Sequence, residues 1–224
     1  MFALTFDDGP GPSTSGLLDV LRDLGARATF FLLGRNVEEA SWCGDPPRAR
    51  DLAERAAREG HVLGNHTYSH LRPDRWREFA ADVRRGEAVL RLLRPGPIPF
   101  RLPYGIQRVE GAFPLGSAGE QMDPRLAVIA SMGLTHHHWT SDFDDWTLRA
   151  SDAPALAARM IAHVDQCQAA GLDAVLDLHD SGTGSSFGYE RPATVEGVKL
   201  FLQEAGRRGW KSFTVPQPSP SRQP

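Results

Sequence analysis

The chain has 224 residues, long enough to bury a full hydrophobic core, and its 25 basic and 28 acidic residues nearly balance. This balance leaves no basic footprint for nucleic acid and no polybasic patch for a membrane surface, so we expect a small-molecule or glycan partner. The two cysteines, Cys43 and Cys167, lie far apart, which argues against a thiolate metal site or a redox motif.

The organisation of the chain predicts one domain at residues 1–215 and a disordered tail, rich in Pro, Ser and Gln, at residues 216–224. No apolar run approaches membrane-spanning length. Residues 1–6 run straight into a strand-like segment, without the charged start and apolar stretch of a signal peptide. We therefore expect a cytoplasmic protein from the sequence as written, or an exported one if a leader has been removed.

Short β-rich segments alternate with helical segments along the chain. Strands are predicted at residues 2–6, 28–33, 61–64, 98–101, 134–139, 174–178 and 211–215. Helices are predicted at residues 14–24, 47–59, 76–93, 124–132, 154–170 and 194–208. This alternation is typical of parallel β/α units, in an open sheet or a closed barrel, and about seven strands favour a distorted (β/α) barrel. The active site is then expected at the carboxyl ends of the strands.

Polar residues follow several of these strands. Asp7 and Asp8 come after the first strand, where an Asp-Gly turn is the ordinary interpretation. His66 and His70 come after the third, and a spacing of four places both rings on one face of a helical turn. Alone they could be a pair of surface or core histidines. With one carboxylate they form a three-ligand metal site that keeps positions open for water and substrate.

Three further segments each have an ordinary interpretation when taken alone. R-L-P-Y-G at residues 101–105 reads as an exposed Arg before a turn. D-F-D-D-W at residues 142–146 reads as a solvated acidic run, and L-D-L-H at residues 176–179 ends in a single His that is more often structural. Their order along the chain, each at or beyond a strand, favours one shared site.

Together the segments T-F-D-D-G-P, H-T-Y-S-H, R-L-P-Y-G, D-F-D-D-W and L-D-L-H resemble, in identity and order, the motifs of the polysaccharide deacetylases, carbohydrate esterase family 4 or the NodB-homology domain. The resemblance extends from Thr5 to His179. It implies a single-domain distorted (β/α) barrel with about seven strands. It also implies a metal-dependent N-deacetylase that hydrolyses the acetamide of N-acetylglucosamine units in a chitin- or peptidoglycan-like glycan.

The resemblance implies a role for each matching residue on the metal side of the site. Asp8, His66 and His70 would bind one divalent ion, usually Zn²⁺, with Co²⁺ or Ni²⁺ as alternatives. Asp7 would be the general base, and Arg101 would hold and orient it. Because Asp7 lies beside a cation and Arg101, we expect it to stay ionised and able to accept a proton.

Other matching residues would act on the substrate side. His179 would be the general acid for the departing amine, with Asp145 raising its pKa. The backbone N–H of Tyr104 would help to stabilise the oxyanion. The residues expected to contact the substrate and shape the acetyl pocket are Trp146, Leu176, Leu178 and Pro103.

Some features leave alternatives open. The chain could be a related amidohydrolase acting on a small non-sugar amide, or an inactive carbohydrate-binding domain. His136, His137 and His138 are not expected to form a second metal cluster, because consecutive strand residues alternate faces. Asp142 and Asp144 either bind substrate hydroxyls or are solvated. Surface loops are predicted at residues 41–48 and 106–123, and the second is long enough to affect specificity.

Overall fold

The computed structural model describes residues 1–40, 42–93, 98–107, 123–182 and 190–215. Its strands are β1 (Phe2–Asp7), β2 (Ala28–Leu32), β3 (Val62–Asn65), β4 (Ser141–Asp142) and β5 (Ala174–His179). Its α-helices are α1 (Thr14–Asp23), α2 (Gly34–Glu38), α3 (Pro46–Arg58), α4 (Phe79–Arg91), α5 (Pro124–Ser131), α6 (Ala153–Ala169) and α7 (Pro192–Arg207). Most of the predicted loop at 106–123 and all of the predicted tail at 216–224 lie outside the described residues.

The strands form one parallel sheet in the order β3-β2-β1-β5-β4, with β1 at its centre. Every residue of β1 and β2 is buried, as expected for parallel strands that are covered on both faces. β1 and β5 pair from Phe2 with Ala174 to Asp7 with His179. This register places a predicted base and a predicted acid side by side at the end of the sheet.

Isolated β-bridges carry the sheet around into a distorted barrel. Phe100 forms parallel bridges with Asn65, at the end of β3, and with His136. The chain runs on from His136 into β4, which pairs with β5 at the other side of the sheet. The predicted barrel is therefore confirmed.

The extended strands are fewer than the sequence predicted. Among the described residues, the segments at 98–101, 134–139 and 211–215 join the sheet through isolated bridges: Phe100 with Asn65 and His136, and Ser212 with Phe2. The two-residue strand β4 was not predicted. Pro99 has no N–H to add to the ladder, which limits the pairing around Phe100. These short pairings still fix the carboxyl-end loops in a ring around the barrel mouth.

Helices cover the outside of the sheet. α1 buries Leu17, Leu18 and Leu21, the periodic apolar positions that predicted it. At the start of α3 the Asp45 side chain accepts a hydrogen bond from the Arg48 N–H. The predicted helices occur within three residues of their expected bounds, while the short helix α2 was not predicted. None of the helices within the described ranges is long and apolar enough to cross a membrane.

Candidate active site

The Asp7-Asp8 pair lies where β1 ends. Asp8 has a left-handed backbone with φ of 72°, which residues other than Gly rarely adopt. Its carbonyl accepts a hydrogen bond from the Asn36 Nδ2 atom at 2.7 Å. Its Oδ1 atom is buried and has no hydrogen-bond partner among the described residues. A buried carboxylate oxygen without a donor is costly unless a cation or another ligand group meets it.

His66 and His70 follow β3 in an irregular loop, so the predicted helical turn is wrong. Thr67 and His70 both have left-handed φ values, of 72° and 56°. The loop is held by its own polar groups, because the Thr67 N–H donates to Asn65 Oδ1 and the His70 N–H donates to Thr67 Oγ1. The rings nevertheless meet, with centroids 5.1 Å apart.

Asp8, His66 and His70 form the group of side chains that could hold a metal ion within the described ranges of the chain. Their ligand atoms all lie within 4.8 Å of one another. The Asp8 Oδ1 atom is 3.7 Å from His66 Nε2 and 3.4 Å from His70 Nε2. Two imidazoles and one carboxylate are a donor set that suits a catalytic zinc site.

The surroundings of the two imidazoles also fit a metal. His66 Nδ1 lies 3.0 Å from the Arg101 carbonyl oxygen; because a carbonyl only accepts, Nδ1 carries the proton and the lone pair is on Nε2. Burial is the main factor that lowers the pKa of His66 well below its usual value, and His70 and Arg101 add to it. Burial also lowers the pKa of His70, against the Asp8 charge. Neutral imidazole is the form that binds a metal.

Arg101 organises the second acid of the pair. Its Nη1 atom donates to Asp7 Oδ1 at 3.0 Å, to Asp177 Oδ1 at 2.6 Å and to Thr5 Oγ1 at 2.7 Å. Its Nε atom donates to the His137 carbonyl oxygen at 2.9 Å. The predicted contact between Arg101 and Asp7 is present, and the guanidinium is shared with a second carboxylate.

Sharing this cation affects the charge of Asp7. Burial raises the pKa of Asp7 well above its usual range, Arg101 opposes the rise, and the Asp177 carboxylate adds to it. The sequence predicted an ionised Asp7 from Arg101 and a metal alone, and foresaw neither the complete burial nor Asp177. Positive charge at the Asp8 metal position acts in the opposite direction on the Asp7 pKa.

His179 lies across the barrel mouth from the two other imidazoles. Its ring Nδ1 atom is 2.8 Å from Asp145 Oδ1. Its backbone N–H donates to Asp145 Oδ2 at 2.9 Å. Thr194 Oγ1 donates to the same Oδ2 at 2.5 Å. Burial alone would lower the pKa of His179, but Asp145, with smaller contributions from Asp8 and Asp177, raises it well above its usual value. The pairing with Asp145 therefore favours the protonated form of His179.

Tyr104 is presented at the mouth by a rigid loop. Its φ is 62°, its side chain is 47% exposed, and its ring lies 4.5 Å from that of His70. The buried Arg125 side chain donates to the Pro103 and Gly105 carbonyl oxygens and pairs with Asp123. The Tyr104 N–H donates to no described residue, which keeps it available to a ligand.

These groups surround one cavity of about 410 Å³. Trp146, 41% exposed, lies edge-on to His179 with ring centroids 4.7 Å apart. The described residues that line the cavity are Asp7, Asp8, His66, His70, Leu102, Tyr104, Gln107, Trp139, Asp142, Trp146, Asp177, His179, Gly182 and Arg191. Carboxylates, imidazoles and aromatic rings thus share one concave surface, as expected of a ligand site.

Three residues predicted for this pocket lie elsewhere. Leu176 and Leu178 are fully buried in the main hydrophobic core, because alternate residues of a strand face opposite sides. Pro103 is buried and does not line the cavity; its carbonyl oxygen binds Arg125 instead. The residues of β5 that face the cavity are Asp177 and His179.

Sequence reasoning missed Asp177 and Thr194. The signal for Asp177 was present, since it stands two residues before His179 and a period of two places both on one face of the strand. Thr194 is 49 residues from Asp145, its partner, and no local pattern joins them. Asp142 lines the cavity, whereas Asp144 is exposed.

The three consecutive histidines do not join the metal-type group found within the described part of the chain. His136 Nδ1 accepts a hydrogen bond from the Leu102 N–H at 3.1 Å. Burial lowers the pKa of His136 to about 3. His137 is half-buried and His138 is exposed. The His138 ring lies tilted against Trp139, with ring centroids 4.6 Å apart. Of the three rings, that of His136 contacts the backbone beside Arg101, and His137 binds Arg101 through its carbonyl oxygen.

A distorted (β/α) barrel with a carboxylate and two imidazoles at its strand ends, and a buried His-Asp pair opposite, has the architecture of a metal-dependent hydrolase. The sequence model described as polysaccharide deacetylase matches residues 1–111. A chitooligosaccharide deacetylase from Bradyrhizobium is 31% identical over 96% of this chain and 88% of its own length. The chain belongs to the polysaccharide deacetylase family, as its five motifs indicated.

Other relatives cover different shares of their own length. A peptidoglycan-N-acetylglucosamine deacetylase from Bacillus cereus is 42% identical over 64% of this chain, which is 46% of that relative. A second match from that organism is 30% identical over 88% of this chain and 64% of its own length. The chain thus spans less than two-thirds of these two relatives. The crystal structure of a Bacillus cereus polysaccharide deacetylase has a TM-score of 0.71 at 26% identity, covering 98% of this chain and 93% of that one.

Proposed function

We propose that the protein is a metal-dependent hydrolase that removes N-acetyl groups from N-acetylglucosamine units of a chitin- or peptidoglycan-like glycan and releases acetate. The observation that carries the proposal is the meeting of Asp8, His66 and His70 beside Asp7 and opposite His179. The substrate class is supported by relatives named for chitooligosaccharides and for peptidoglycan N-acetylglucosamine.

The metal position in this proposal is formed by Asp8, His66 and His70. Their donor set suits Zn²⁺, and Co²⁺ or Ni²⁺ fit the same ligands. A divalent cation held there supplies Lewis-acid activation of water and of the scissile carbonyl. The Arg101 carbonyl, by accepting from His66 Nδ1, fixes the ring with Nε2 toward Asp8.

Asp7 is the proposed general base. Arg101 fixes its Oδ1 atom, so Oδ2, which lies 3.5 Å from His66 Nε2, is free to accept a proton from the attacking water. Arg101 does not itself bind substrate in this scheme; it orients the carboxylate. A divalent cation held by Asp8, His66 and His70 would lower the pKa of Asp7 and oppose the effect of its burial.

Charge that develops on the carbonyl oxygen needs a donor in a fixed position. The Tyr104 N–H is the proposed donor. Tyr104 has a left-handed backbone, and Arg125 holds the residues on either side of it by donating to the Pro103 and Gly105 carbonyl oxygens. Such preorganised donors contribute on the order of a hundredfold or more to the rate.

His179 is the proposed general acid. Protonated through its pairing with Asp145, it can donate from Nε2 to the amine nitrogen as the C–N bond breaks. Trp146, edge-on to the imidazole, covers one side of the ring. Base and acid thus stand on neighbouring strands, β1 and β5, at paired positions.

The proposal is tested by acetate release from chitotetraose and from N-acetylated peptidoglycan fragments. Turnover should stop with a chelator and return with Zn²⁺ or Co²⁺, and Asp7→Asn should abolish it while metal content stays at one per chain. Binding of the glycan without acetate release would support an inactive carbohydrate-binding domain instead. Hydrolysis of small non-sugar amides, with glycans untouched, would support the amidohydrolase alternative.

A further inference from the structure

The cavity is lined by a carboxylate, that of Asp177, in a region where the sequence predicted apolar side chains around the acetyl group. Thr5 pairs with Asp177, and Asp7 pairs with His179, along β1 and β5. Asp177 therefore lies one layer, about 6–7 Å, further into the barrel than the proposed base and acid. It lines the cavity, while its neighbours Leu176 and Leu178 face the core.

Asp177 keeps hydrogen-bonding capacity on the side of the cavity. Its Oδ1 atom accepts from Arg101 Nη1 at 2.6 Å. Its Oδ2 atom accepts no hydrogen bond from a described residue. Asp142 is the register partner of Asp177 on β4 and lines the same cavity. Two adjacent carboxylates thus line this part of the cavity.

A plain methyl group gains little in such a place, because it would cover carboxylate oxygens that still need donors. A hydroxyl on the same carbon would donate to one of them. Sites built to bond a substrate hydroxyl discriminate strongly against the analogue that lacks it.

We propose that this cavity prefers an N-acyl group that carries a hydroxyl, such as hydroxyacetyl, and that Asp177 is the acceptor that selects it. The inference rests on the proposed deacylase function. In the reaction the amide C–N bond breaks and a C–O bond to water oxygen forms. Hydroxyacetate leaves with that oxygen, and the amine nitrogen takes the proton.

The test compares kcat/KM on chitotetraose bearing N-acetyl, N-hydroxyacetyl or N-propionyl groups. Propionyl matches hydroxyacetyl in size but has no donor. The wild-type protein should favour hydroxyacetyl over both by at least about tenfold. Equal kcat/KM for hydroxyacetyl and propionyl overturns the inference while the proposed function stands, whereas release of no acyl group overturns the proposed function itself.

Variants of Asp177 distinguish a role in selecting the acyl group from a role in holding Arg101 alone. Asp177→Asn and Asp177→Leu should lower the hydroxyacetyl-to-propionyl ratio at least about fivefold, the second more than the first. Asp173→Asn, which removes an exposed acid at the other end of β5, should leave the ratio unchanged. An equal loss on all three substrates would assign Asp177 to holding Arg101 alone and overturn the inference.

Inhibition of the wild-type protein gives an answer that does not depend on the variants folding. Hydroxyacetate, as the product of the preferred reaction, should inhibit at lower concentration than acetate or propionate. A stronger inhibition by propionate contradicts a polar acyl site.

Discussion

The two histidine regions of the cavity use one side chain for opposite purposes. His66 and His70 are buried imidazoles whose pKa values are lowered. The His179 side chain is also largely enclosed, with 15% exposed against 3% for His66 and 9% for His70, yet its pKa is raised well above the usual value. The difference lies at Nδ1, which meets a neutral carbonyl in His66 and the Asp145 carboxylate in His179.

This difference shows how the charged groups around a buried imidazole favour its use as a ligand or as an acid. Burial disfavours the cation in all three rings. A carboxylate in hydrogen-bond contact overcomes that effect, and a backbone carbonyl does not. In the barrel, a backbone carbonyl lies beside His66 and a carboxylate lies beside His179. The proposed roles of the two residues, metal ligand and general acid, follow from this difference.

Removing a proposed metal ligand should have the largest effect on metal content and turnover. His66→Ala takes away one of three ligands, so we expect loss of bound metal and of detectable turnover. Metal analysis beside an acetate-release assay measures both. His138→Ala, which removes a histidine outside the ligand group, is the control and should keep its metal. Full metal content in His66→Ala would break the assignment.

Asp7→Asn tests whether the base is separate from the ligands. Asn keeps the shape and an acceptor for Arg101 but cannot take a proton. Turnover should fall below detection, a loss of roughly 10²–10⁴-fold or more, with metal content unchanged. Normal turnover in this variant would show that another group accepts the proton.

Asp145→Asn removes the carboxylate that raises the pKa of His179, so His179 should become more like the neutral imidazoles of His66 and His70. Below its raised pKa His179 holds the proton that the amine needs, and above that pKa the acid form is lost, so kcat falls as pH rises through it. Without the carboxylate, burial should dominate and the alkaline limb should move to lower pH. We expect a loss of about 10–100-fold at pH 8. An alkaline limb that stays in place would contradict the pairing.

Thr194→Val tests the pairing of Asp145 with His179 by a smaller change, the loss of one hydrogen bond to Asp145. Thr194 Oγ1 donates to Asp145 Oδ2, and one such bond contributes about 0.5–1.5 kcal/mol. We expect a two- to tenfold fall in kcat with the metal retained. A drop in metal content would instead place Thr194 in support of the other side of the cavity.

The sequence allowed the barrel and most of the site to be predicted because both depend on local patterns. The apolar run of β1 and the periodic leucines of α1 are short-range signals. The five motifs each lie on one strand end. Their meeting at one end of the barrel was therefore predictable from the fold class.

The misses arose where spatial context decides. Leu176 and Leu178 were assigned to the pocket because a motif names residues without stating which face of the strand they occupy. The turn of His66 and His70 was predicted as helical, whereas side-chain bonds from Asn65 and Thr67 hold it in left-handed conformations. The sharing of Arg101 by Asp7 and Asp177 was also missed, because the three residues come from distant segments of the chain and no local pattern connects them.

The central claim is that one cation is held between the carboxylate of β1 and the two imidazoles that follow β3. A zinc-edge anomalous difference map of crystals grown with stoichiometric Zn²⁺ tests it directly. We predict one strong peak about 2.0–2.2 Å from Asp8, His66 Nε2 and His70 Nε2. A peak at His136, or none at these three side chains, would contradict the account.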